Sequence, residues 1–476
     1  MQREYIKMNY DELYINGSWV QSNSSERFDV INPATEMSCA SVVMGNTDDV
    51  DRAVKAARLA FKTWRLSDSN TRRNYIKQLA DALSERSEEL AHCISISMGI
   101  PKHLALEVQV EEPIEILRSY AKRTELMNQE DVISNATVIK KPIGVCGLIS
   151  PWNYPLNQLI GKLAPALASG CTMVVKPSEQ TSLQDFIVAQ CCEKIGLPKG
   201  VFNLVTGLGH EVGAAISSHP DIDLVSFTGS TRAGTHVAQS AAPSVKRVIQ
   251  ELGGKSPLIM THDCDLKAAV TAGLEDVLIN TGQTCTAYSR WFIPKVKSSE
   301  IESLILANIS EYKLGPGDDC FIGPMVSKAQ QQTVLTYIQQ GINEGANILI
   351  GGLDFPEHLT EGYYVKPTVF TQVKNSMTIA QEEIFGPVIC LIEYEDISEA
   401  IEMANDSPYG LSSAVFSKDQ VSGVHIAKQI DSGMCYVNGG DYNIEAPFGG
   451  VKQSGNGREF GDYGLNEYVE LQAIHT

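Results

Sequence analysis

The sequence predicts an α/β protein built around a doubly wound parallel sheet, joined to a second α/β unit and a small β extension. Two patterns predict this class. Short apolar runs recur between helical segments from residue 140 to residue 256, which is the rhythm of β-α-β units. A second block in which strand-like and helical segments alternate spans residues 257–437. Continuous runs such as MVV and GVCGLI suit strands buried on both faces, as in a parallel sheet covered by helices.

Before the first block, the chain predicts two short strand segments and then helices. LYINGSWV (13–20) and FDVINPAT (28–35) are strand-like around an Asn-Gly turn, which predicts a hairpin at the edge of a domain. Residues 47–90 have apolar side chains at helical spacing, including Val50, Ala53, Val54 and Ala57, and residues 71–90 form a second helical segment.

The predicted strands of the two blocks can be named in chain order. The first block contains IGVCGLIS (143–150), TMVVKPS (172–178), FNLVTG (202–207), DLVSFTGS (223–230) and KRVIQELGG (246–254). The second contains SPLIM (256–260), WFIPKV (291–296), NILIGG (347–352), YYVKPTVF (363–370), GPVICLIEY (386–394) and GLSSAVFS (410–417). Residues 129–141 and 467–476 are alternating short strands without obvious partners within the chain.

Length and composition exclude several classes of function. A chain of 476 residues is too long for one ordinary core, so two or three packed domains are expected. The apolar share of 43% and charged share of 20% indicate a globular protein rather than a disordered one. A net charge of −19 gives no general attraction to nucleic acid or anionic lipid, so neither is expected as a partner.

The cysteines and the N-terminus indicate the compartment. Eleven cysteines are scattered without a CxxC motif or a zinc-like spacing, which predicts a reduced, cytoplasmic chain with no metal site. The start, residues 1–17, carries charges throughout and lacks the apolar core of a signal peptide. No segment approaches the ~20 apolar residues of a membrane span, so insertion is not expected.

The segment GQTCTAYSR (282–290) places Cys285 among small polar residues behind a glycine. A thiolate at such a tight turn, with backbone amides nearby, is suited to nucleophilic attack. Taken alone, one of eleven cysteines is more simply a small buried apolar residue. The neighbouring motifs favour the nucleophile.

Two further motifs supply the groups that a thiol nucleophile needs. In ELGGKSP (251–257), Glu251 ends a predicted strand where a partly desolvated carboxylate can act as a general base, although a plain loop carboxylate is the alternative. In PWNYP (151–155), two prolines restrict the backbone around Asn153, whose amide could stabilise an oxyanion together with the backbone amide of Cys285. A capping asparagine in a structural turn is the simpler alternative.

Two segments indicate a dinucleotide cofactor. FTGSTRAG (227–234) follows a predicted strand and opens a helix, where glycines let a helix N-terminus approach a pyrophosphate. KPSE (176–179) follows the strand TMVV, where Glu179 could bind ribose hydroxyls and repel a 2′-phosphate, favouring NAD over NADP. Lys176 could tolerate that phosphate, which keeps NADP as the alternative. An ordinary start of a helix would look similar.

Together these motifs resemble the aldehyde dehydrogenase superfamily, and the resemblance covers nearly the whole chain. It runs from INGSWV and INPAT through the segments above to EEIFGPV and PFGGVKQSGNGRE. The resemblance implies that Cys285 is the nucleophile, that Glu251 deprotonates the thiol or the deacylating water, and that Asn153 is the oxyanion donor. It implies NAD(P)-dependent oxidation of an aldehyde to an acid through a thiohemiacetal and a thioester, with hydride transfer to nicotinamide and hydrolysis by water.

The resemblance also implies the cofactor residues and three domains. The cofactor set is Ile149, Ser150, Pro151, Trp152, Lys176, Ser178, Glu179, Gly209, Phe227, Thr228, Gly229, Ser230, Leu252, Gly253, Glu383 and Phe385. Core packing is the alternative for Phe385. The domains are a Rossmann-like dinucleotide-binding domain (1–122 and 142–252), an α/β catalytic domain (253–454) and a small β oligomerisation flap (123–141 and 455–476). Such a flap implies a homodimer or homotetramer, since exposed edge strands otherwise risk aggregation.

By the same resemblance a funnel determines which small-molecule aldehyde is accepted. Its predicted residues are Tyr154, Asn157, Gln158, Gly161, Thr284, Thr286, Tyr442 and Phe448. Gly161, Asn157 and Gln158 stand where relatives often carry larger or apolar side chains, which predicts a wider, more polar funnel. The sequence places no cation nearby for a distal carboxylate, so a neutral aldehyde is expected rather than a dicarboxylic semialdehyde. An acyl transferase that uses the same thiol is the rival activity, against which the presence of Glu251 argues.

Overall fold

The computed structural model describes residues 8–476. Residues 1–7, which belong to the N-terminal stretch predicted to lack a signal peptide, lie outside this range. Within the described range no helix is long and apolar enough to cross a membrane. The strands form four sheets, two of which are large and parallel in their centres.

The first large sheet contains the five predicted strands of the first block and has eight strands in all. In spatial order these are Gly455–Asn456, Arg247–Glu251, Leu224–Thr228, Val145–Ile149, Thr172–Lys176, Phe202–Leu204, Leu13–Ile15 and Ser18–Val20. The five central strands are parallel, and the outer three pair antiparallel. The prediction of a doubly wound parallel sheet is therefore confirmed.

The direction of strand order reverses between Val145–Ile149 and Leu224–Thr228, which are neighbours in space but not in sequence. Ligands of open α/β sheets bind beyond the carboxyl ends of the strands at such a switch point. The segment PWNYP comes just after the first of these strands, and FTGST begins in the last two residues of the second. The topology thus places both motifs at one edge of the sheet.

The second large sheet has seven strands. In spatial order they are Asn347–Ile350, Thr368–Thr371, Val388–Tyr394, Arg290–Pro294, Pro257–Met260, Ala414–Phe416 and Tyr436–Val437. All pair in parallel except Asn347–Ile350, which is antiparallel at one edge. Every predicted strand of the second block lies in this sheet, and Tyr436–Val437 is an additional short strand.

Two small sheets complete the strands. Arg27–Asn32 and Met8–Tyr10 flank Met37–Val43. The predicted Asn-Gly hairpin is formed by Leu13–Ile15 and Ser18–Val20 at the edge of the first large sheet, so FDVIN belongs to a separate sheet and not to that hairpin.

In the last sheet Ala136–Pro142 lies between Val469–His475 and Asp131–Ile133. These segments were expected to lack partners within the chain, but they pair with each other because the C-terminus returns alongside residues 136–142.

The helices cover the sheets and fill the spaces between them. The α-helices are Thr47–Trp64, Ser69–Ser84, Ser87–Met98, Lys102–Leu106, Glu112–Arg123, Pro155–Ser169, Leu183–Lys194, Ala214–Ser218, Thr231–Ala241, Leu266–Leu278, Ser298–Asn308, Lys328–Asn343, Thr378–Gln381, Ile397–Asn405, Gln420–Ala427 and Gly461–Glu467. Glu107–Glu111 and Gly209–Gly213 are π-helical. Short 3₁₀ turns are Thr124–Asn128, Glu179–Thr181, Ala242–Ser244, Ile279–Gly282, Lys295–Lys297, Ile309–Glu311 and Lys452–Ser454. The helix predicted over residues 71–90 instead ends at Ser84, because Arg86 leaves helical geometry and a new helix begins.

One helix is buried along its whole length and supports the switch point. Pro155–Ser169 begins with proline at its first position, where the missing N–H costs nothing, and ends at Gly170 with φ +93°. Every residue of this helix is buried. It directly follows the segment that carries Asn153, so that segment is anchored by one of the best-packed elements of the molecule.

Candidate active site

Cys285 lies in a loop whose backbone is unusual. After the helix Leu266–Leu278, Asn280, Thr281 and Gly282 adopt positive φ values of 53°, 59° and 70° in succession. Non-glycine residues in this region are strained by about 1 kcal/mol or more unless their surroundings hold them there. The loop is fixed by Gln283, whose side-chain oxygen accepts a 2.9 Å hydrogen bond from the amide of Val326.

Asn153 is held against the same loop. Its side-chain nitrogen donates to the carbonyl of Gln283 at 2.9 Å. Its own carbonyl accepts from the side chains of Asn280 at 2.9 Å and Gln109 at 3.2 Å. Asn153 and the loop before Cys285 are therefore joined by two hydrogen bonds, and Gln109 of the π-helix Glu107–Glu111 adds a third to the Asn153 carbonyl. Since Asn153 uses one N–H on Gln283, the second N–H of its amide is the one available to an oxyanion.

The thiol of Cys285 is protonated at rest. Burial, followed by the nearby carboxyls of Glu383 and Glu251, raises its pKa well above the ordinary value. A neutral thiol is a weak nucleophile, so attack needs a group that removes its proton.

Glu251 ends the strand Arg247–Glu251 and is 2% exposed. Neither oxygen of its carboxyl has a hydrogen-bond partner among the described residues. Burial, and then the charge of Glu459, raise its pKa well above the ordinary range, while Lys162 and Arg458 act in the opposite direction. A buried carboxyl without partners and with a raised pKa is the typical state of a general base.

A buried ion pair lies behind Glu251. The ammonium of Lys162 is 2.7 Å from Glu459 Oε1 and donates to the hydroxyl of Thr228 at 2.6 Å. Both charged side chains are buried, so each compensates the desolvation of the other. The pair ties the wholly buried helix Pro155–Ser169 to the segment that precedes helix Gly461–Glu467.

A cavity of about 270 Å³, called here the cysteine cavity, brings Cys285 and Asn153 together with predicted cofactor residues. Its lining comprises Pro151, Trp152, Asn153, Thr228, Gly229, Ser230, Leu252, Gly253, Cys285, Gln330, Thr333, Tyr337, Glu383, Ile384 and Phe385. Nine of these were predicted as cofactor residues. The amide of Gly229 donates to the carbonyl of Glu251 at 3.1 Å, which connects the helix start to the strand that carries the base.

Glu383 and Phe385 form another part of the lining of the cysteine cavity. Glu383 Oε1 accepts a 2.9 Å hydrogen bond from the amide of Gly254, and burial raises the pKa of Glu383 to about 7. Phe385 has φ +58°, and its ring meets Trp152 edge-on with centroids 5.2 Å apart. A Cβ on Gly253 would collide with Glu383, so glycine is needed for this close approach.

A second cavity, of about 670 Å³ and called here the helix-start cavity, lies at the carboxyl ends of the first sheet. It is lined by Ile149, Gly209, His210, Gly213, Ala214, Ser217, Phe227, Arg232, Ala233, His236, Val237 and Ser240. Three of these were predicted: Ile149, Gly209 and Phe227. The helix Thr231–Ala241 begins at its edge, with the Ser230 side chain accepting from the amide of Ala233. This helix start is an anion-binding arrangement, and with the cavity beside it fits a dinucleotide.

Four predicted cofactor residues line neither cavity. Ser150 donates its amide to the carbonyl of Lys176, which places KPSE beside PWNYP at the sheet edge. The ammonium of Lys176 binds the carbonyl of Pro177 at 2.7 Å and Glu179 Oε2 at 3.2 Å. Ser178 caps the 3₁₀ turn Glu179–Thr181. The carboxylate of Glu179 therefore already has a cation beside it, which weakens its repulsion of a phosphate.

A third cavity, of about 530 Å³ and called here the entrance cavity, holds part of the predicted funnel. It is lined by Leu104, Glu107, Val108, Ala272, Glu275, Asp276, Ile279, Thr286, Tyr288, Phe321, Ser412, Ala414, Phe416, Tyr436, Gly439, Gly440, Tyr442 and Phe448. Of these, Thr286, Tyr442 and Phe448 were predicted as funnel residues. Tyr154 and Thr284 are joined by a 2.8 Å hydrogen bond between their hydroxyls. Since Thr286 follows Cys285 by one residue, this cavity borders the cysteine loop.

The other predicted funnel residues lie elsewhere. The side chain of Asn157 donates to Glu112 at 3.1 Å, and Gln158 lies next to Lys162. A Cβ on Gly161 would be 3.2 Å from Glu459 Oε2 and from the Phe460 ring. The space beside Gly161 is thus filled by Glu459 and Phe460, so glycine here does not by itself widen a channel.

A profile of the aldehyde dehydrogenase family matches residues 19–474. The chain belongs to the aldehyde dehydrogenase family. It is 45% identical to a 3-succinoylsemialdehyde-pyridine dehydrogenase of Pseudomonas sp, over 98% of each chain. These matches make it an oxidoreductase of the kind that acts on aldehydes.

Solved structures agree with this assignment. A mutant of aldehyde dehydrogenase C from Pseudomonas syringae, in complex with NAD+ and octanal, is similar with a TM-score of 0.96 and 44% identity, covering 98% of this chain and 96% of that one. An NAD+ complex of an aldehyde dehydrogenase from Bacillus cereus has a TM-score of 0.95 and 40% identity, with coverage of 98% and 96%. The aldehyde dehydrogenase fold predicted from the sequence is confirmed.

The cavities also include residues that no sequence motif had predicted. Gln330 and Tyr337 reach the cysteine cavity from the helix Lys328–Asn343, and Gln330 donates to the carbonyl of Phe385 at 3.0 Å. That helix lies 38 residues after GQTCTAYSR and 39 before EEIFGPV, so no local signal points to it. Arg232 and His236 were detectable, because their spacing of four after FTGS places both on one helix face.

Proposed function

We propose that this chain oxidises an aldehyde to its carboxylic acid with NAD, through covalent intermediates on Cys285. The observation that carries the proposal is the cysteine cavity, in which Cys285 and Asn153 face the residues around Glu383 and Phe385 that fit a nicotinamide ribose and ring. The NAD+ complexes of related enzymes support the choice of cofactor. Bound NAD would supply the hydride acceptor.

In the first step Cys285 attacks the carbonyl carbon. Because its thiol is protonated at rest, Glu251 takes the proton as the sulfur–carbon bond forms. The oxygen of the carbonyl then carries negative charge. The free N–H of Asn153 and the backbone amide of Cys285 stabilise this oxyanion, and such donors contribute roughly 10²–10³-fold each.

In the last step a water molecule attacks the thioester on Cys285. Glu251 is suited to activate that water, since its carboxyl is buried and neither oxygen is engaged by a described donor. The bond to sulfur breaks, the acid leaves and the thiol recovers a proton. The presence of this base favours release by water over transfer of the acyl group to coenzyme A.

NAD is the preferred cofactor in this proposal, with NADP as the alternative. Glu179 beside the ribose site disfavours a 2′-phosphate. Lys176 at 3.2 Å from that carboxylate reduces the repulsion, so the preference for NAD is expected to be moderate. We also propose a cytoplasmic location, because none of the eleven cysteines, all within the described range, forms a disulfide.

The test follows the absorbance of reduced cofactor with NAD or NADP, hexanal or benzaldehyde, and with or without coenzyme A. Cys285→Ala is expected to lower kcat roughly 10⁴-fold or more. Cys264→Ala is the matched control, because Cys264 is another half-buried free cysteine that lines none of the three cavities. Full activity in Cys285→Ala would exclude this nucleophile, and strict dependence on coenzyme A would favour the acyl transferase.

A further inference from the structure

The charges that line the entrance cavity all have one sign. Glu107, Glu275 and Asp276 contribute carboxyls, and no lysine, arginine or histidine is among the eighteen lining residues in this part of the described chain. None of the three carboxyls forms a salt bridge with a described cation. Uncompensated carboxyls in a concave site attract cations, because low-dielectric walls focus their field.

Asp276 is the least exposed of the three. It is half-buried on the helix Leu266–Leu278, and its Oδ2 accepts a 2.7 Å hydrogen bond from the amide of Tyr288, three residues after Cys285. Burial raises the pKa of Asp276 to about 7. Glu107 and Glu275 are exposed, so they lie at the rim of the cavity.

Aromatic rings share the cavity with these carboxyls. The rings are those of Tyr288, Phe321, Phe416, Tyr436, Tyr442 and Phe448. Ring faces attract cations, and alkylated ammonium groups bind well where rings and carboxylates occur together. The side chain of Ser412, which is 1% exposed, also lines the cavity and lies beside the hydroxyl of Tyr288.

We propose that the entrance cavity selects aldehydes that carry a positive charge a few bonds beyond the carbonyl, such as a quaternary ammonium or a protonated amine. This inference rests on the proposed oxidation at Cys285 and adds the substrate class. It replaces the expectation of a neutral aldehyde, which followed from the lack of a nearby cation. The three carboxyls could not be assigned to the funnel from the sequence, because none belongs to a recognised motif.

The test compares two aldehydes of the same shape, 4-trimethylammoniobutanal and its carbon isostere 5,5-dimethylhexanal, with NAD and wild-type enzyme. Replacing nitrogen by carbon removes the charge and leaves the size almost unchanged. The cationic aldehyde is expected to have a kcat/KM at least tenfold above that of its isostere. Hexanal is included as a neutral aldehyde that measures the basal oxidation.

Two variants locate the effect. Asp276→Asn keeps an oxygen for the amide of Tyr288 and removes the charge, and should lower the ratio of kcat/KM for the cationic aldehyde to kcat/KM for its isostere about tenfold. Glu275→Gln, on an exposed side chain that cannot disturb the core, should lower the ratio severalfold. The control is Asp354→Asn, an exposed aspartate outside the three cavities, which changes the net charge equally and should leave the ratio unchanged.

The outcomes separate this inference from the proposed function. Oxidation of hexanal and of the isostere as fast as, or faster than, that of the cationic aldehyde overturns the inference and leaves the dehydrogenase intact. An equal loss of the ratio in Asp354→Asn also overturns it, because the effect would then come from net charge. If no aldehyde, hexanal included, reduces NAD or NADP, the proposed function fails and the inference fails with it.

Discussion

At the scale of single residues, the site depends on two groups whose pKa values are raised by burial. Burial is the main cause of both shifts; the charge of Glu251 also raises the pKa of Cys285, and the charge of Glu459 also raises the pKa of Glu251. Lys162 and Arg458 partly offset this by lowering the pKa of Glu251. The enzyme is therefore expected to gain activity as pH rises from neutral into the alkaline range.

A glutamine in place of Glu251 tests this expectation. Glu251→Gln should lower kcat by about 10²–10⁴-fold, the usual contribution of a general base, and should flatten the alkaline rise. The measurement is kcat against pH with hexanal and NAD. Glu357→Gln, an exposed glutamate far from the three cavities, is the control. An unchanged pH profile in Glu251→Gln would assign the titration to another group.

Stability provides a second, activity-independent measurement on the same residue. Folding raises the pKa of Glu251, so its contribution to the free energy of unfolding is fully present below its unfolded pKa and is lost as pH rises through the folded value. Glu251→Gln cannot ionise. It should therefore lose less stability than the wild type between acidic and alkaline pH, as measured by urea unfolding.

At the scale of elements, the loop before Cys285 turns the chain after a helix and holds the predicted nucleophile in position. Three successive residues with positive φ turn the chain sharply after Leu266–Leu278, and the backbone at Gly282 packs directly against Gly386 and Pro387. This packing also joins the cysteine loop to the segment that carries Phe385. A small displacement here would move the thiol relative to the cofactor wall.

Gly282→Ala is expected to be destabilising and nearly inactive. A Cβ would lie 2.7 Å from the nitrogen of Pro387 and closer still to the backbone of Gly386, and alanine is strained at φ +70°. A loss of roughly 1–3 kcal/mol in the free energy of unfolding is typical of such strain. Gly440→Ala is the control, since its nearest neighbour would be 3.6 Å away and its φ is not positive. Equal stability of the two variants would contradict this account.

At the scale of the whole molecule, the predicted flap exposes apolar side chains that nothing in a single chain covers among the described residues. Val132 and Ile133 on the outer strand Asp131–Ile133 are largely exposed, as is Leu471 on Val469–His475. An exposed apolar edge strand is normally covered. The homodimer or homotetramer stays a prediction, and these residues are the expected contact surface.

Val132→Asp should shift the protein towards smaller assemblies by placing a charge on that surface. The measurement is the mass by light scattering after size-exclusion chromatography, at several protein concentrations. Val296→Asp is the control, because Val296 is equally exposed, at 80% against 76%, and lies on a 3₁₀ turn beside the second sheet. A monomeric wild type, or an equal shift in both variants, would contradict the role of the flap.

The predicted domain division also belongs to this scale and stays a prediction. The strand pairings bear on one boundary. Gly455–Asn456 pairs with Arg247–Glu251 of the first sheet, and Gly461–Glu467 packs on helices Pro155–Ser169 and Glu112–Arg123. Only Val469–His475 of the C-terminal segment lies in the flap sheet. A flap that begins near residue 468 rather than 455 accords better with these contacts.

The sequence by itself determined the five parallel strands of the first large sheet, six of the seven strands of the second and the switch-point motifs, and it predicted Cys285, Glu251 and Asn153 as a catalytic set. It could do so because buried parallel strands have a continuous apolar pattern, and because these motifs are local in the chain. Only the tertiary structure decided which side chains meet. Glu107 and Asp276 line the entrance cavity, Gln330 reaches the cysteine cavity, and Gly161 packs on Glu459. Each of these contacts joins elements that are far apart in sequence, and no local pattern encodes the distance between such elements.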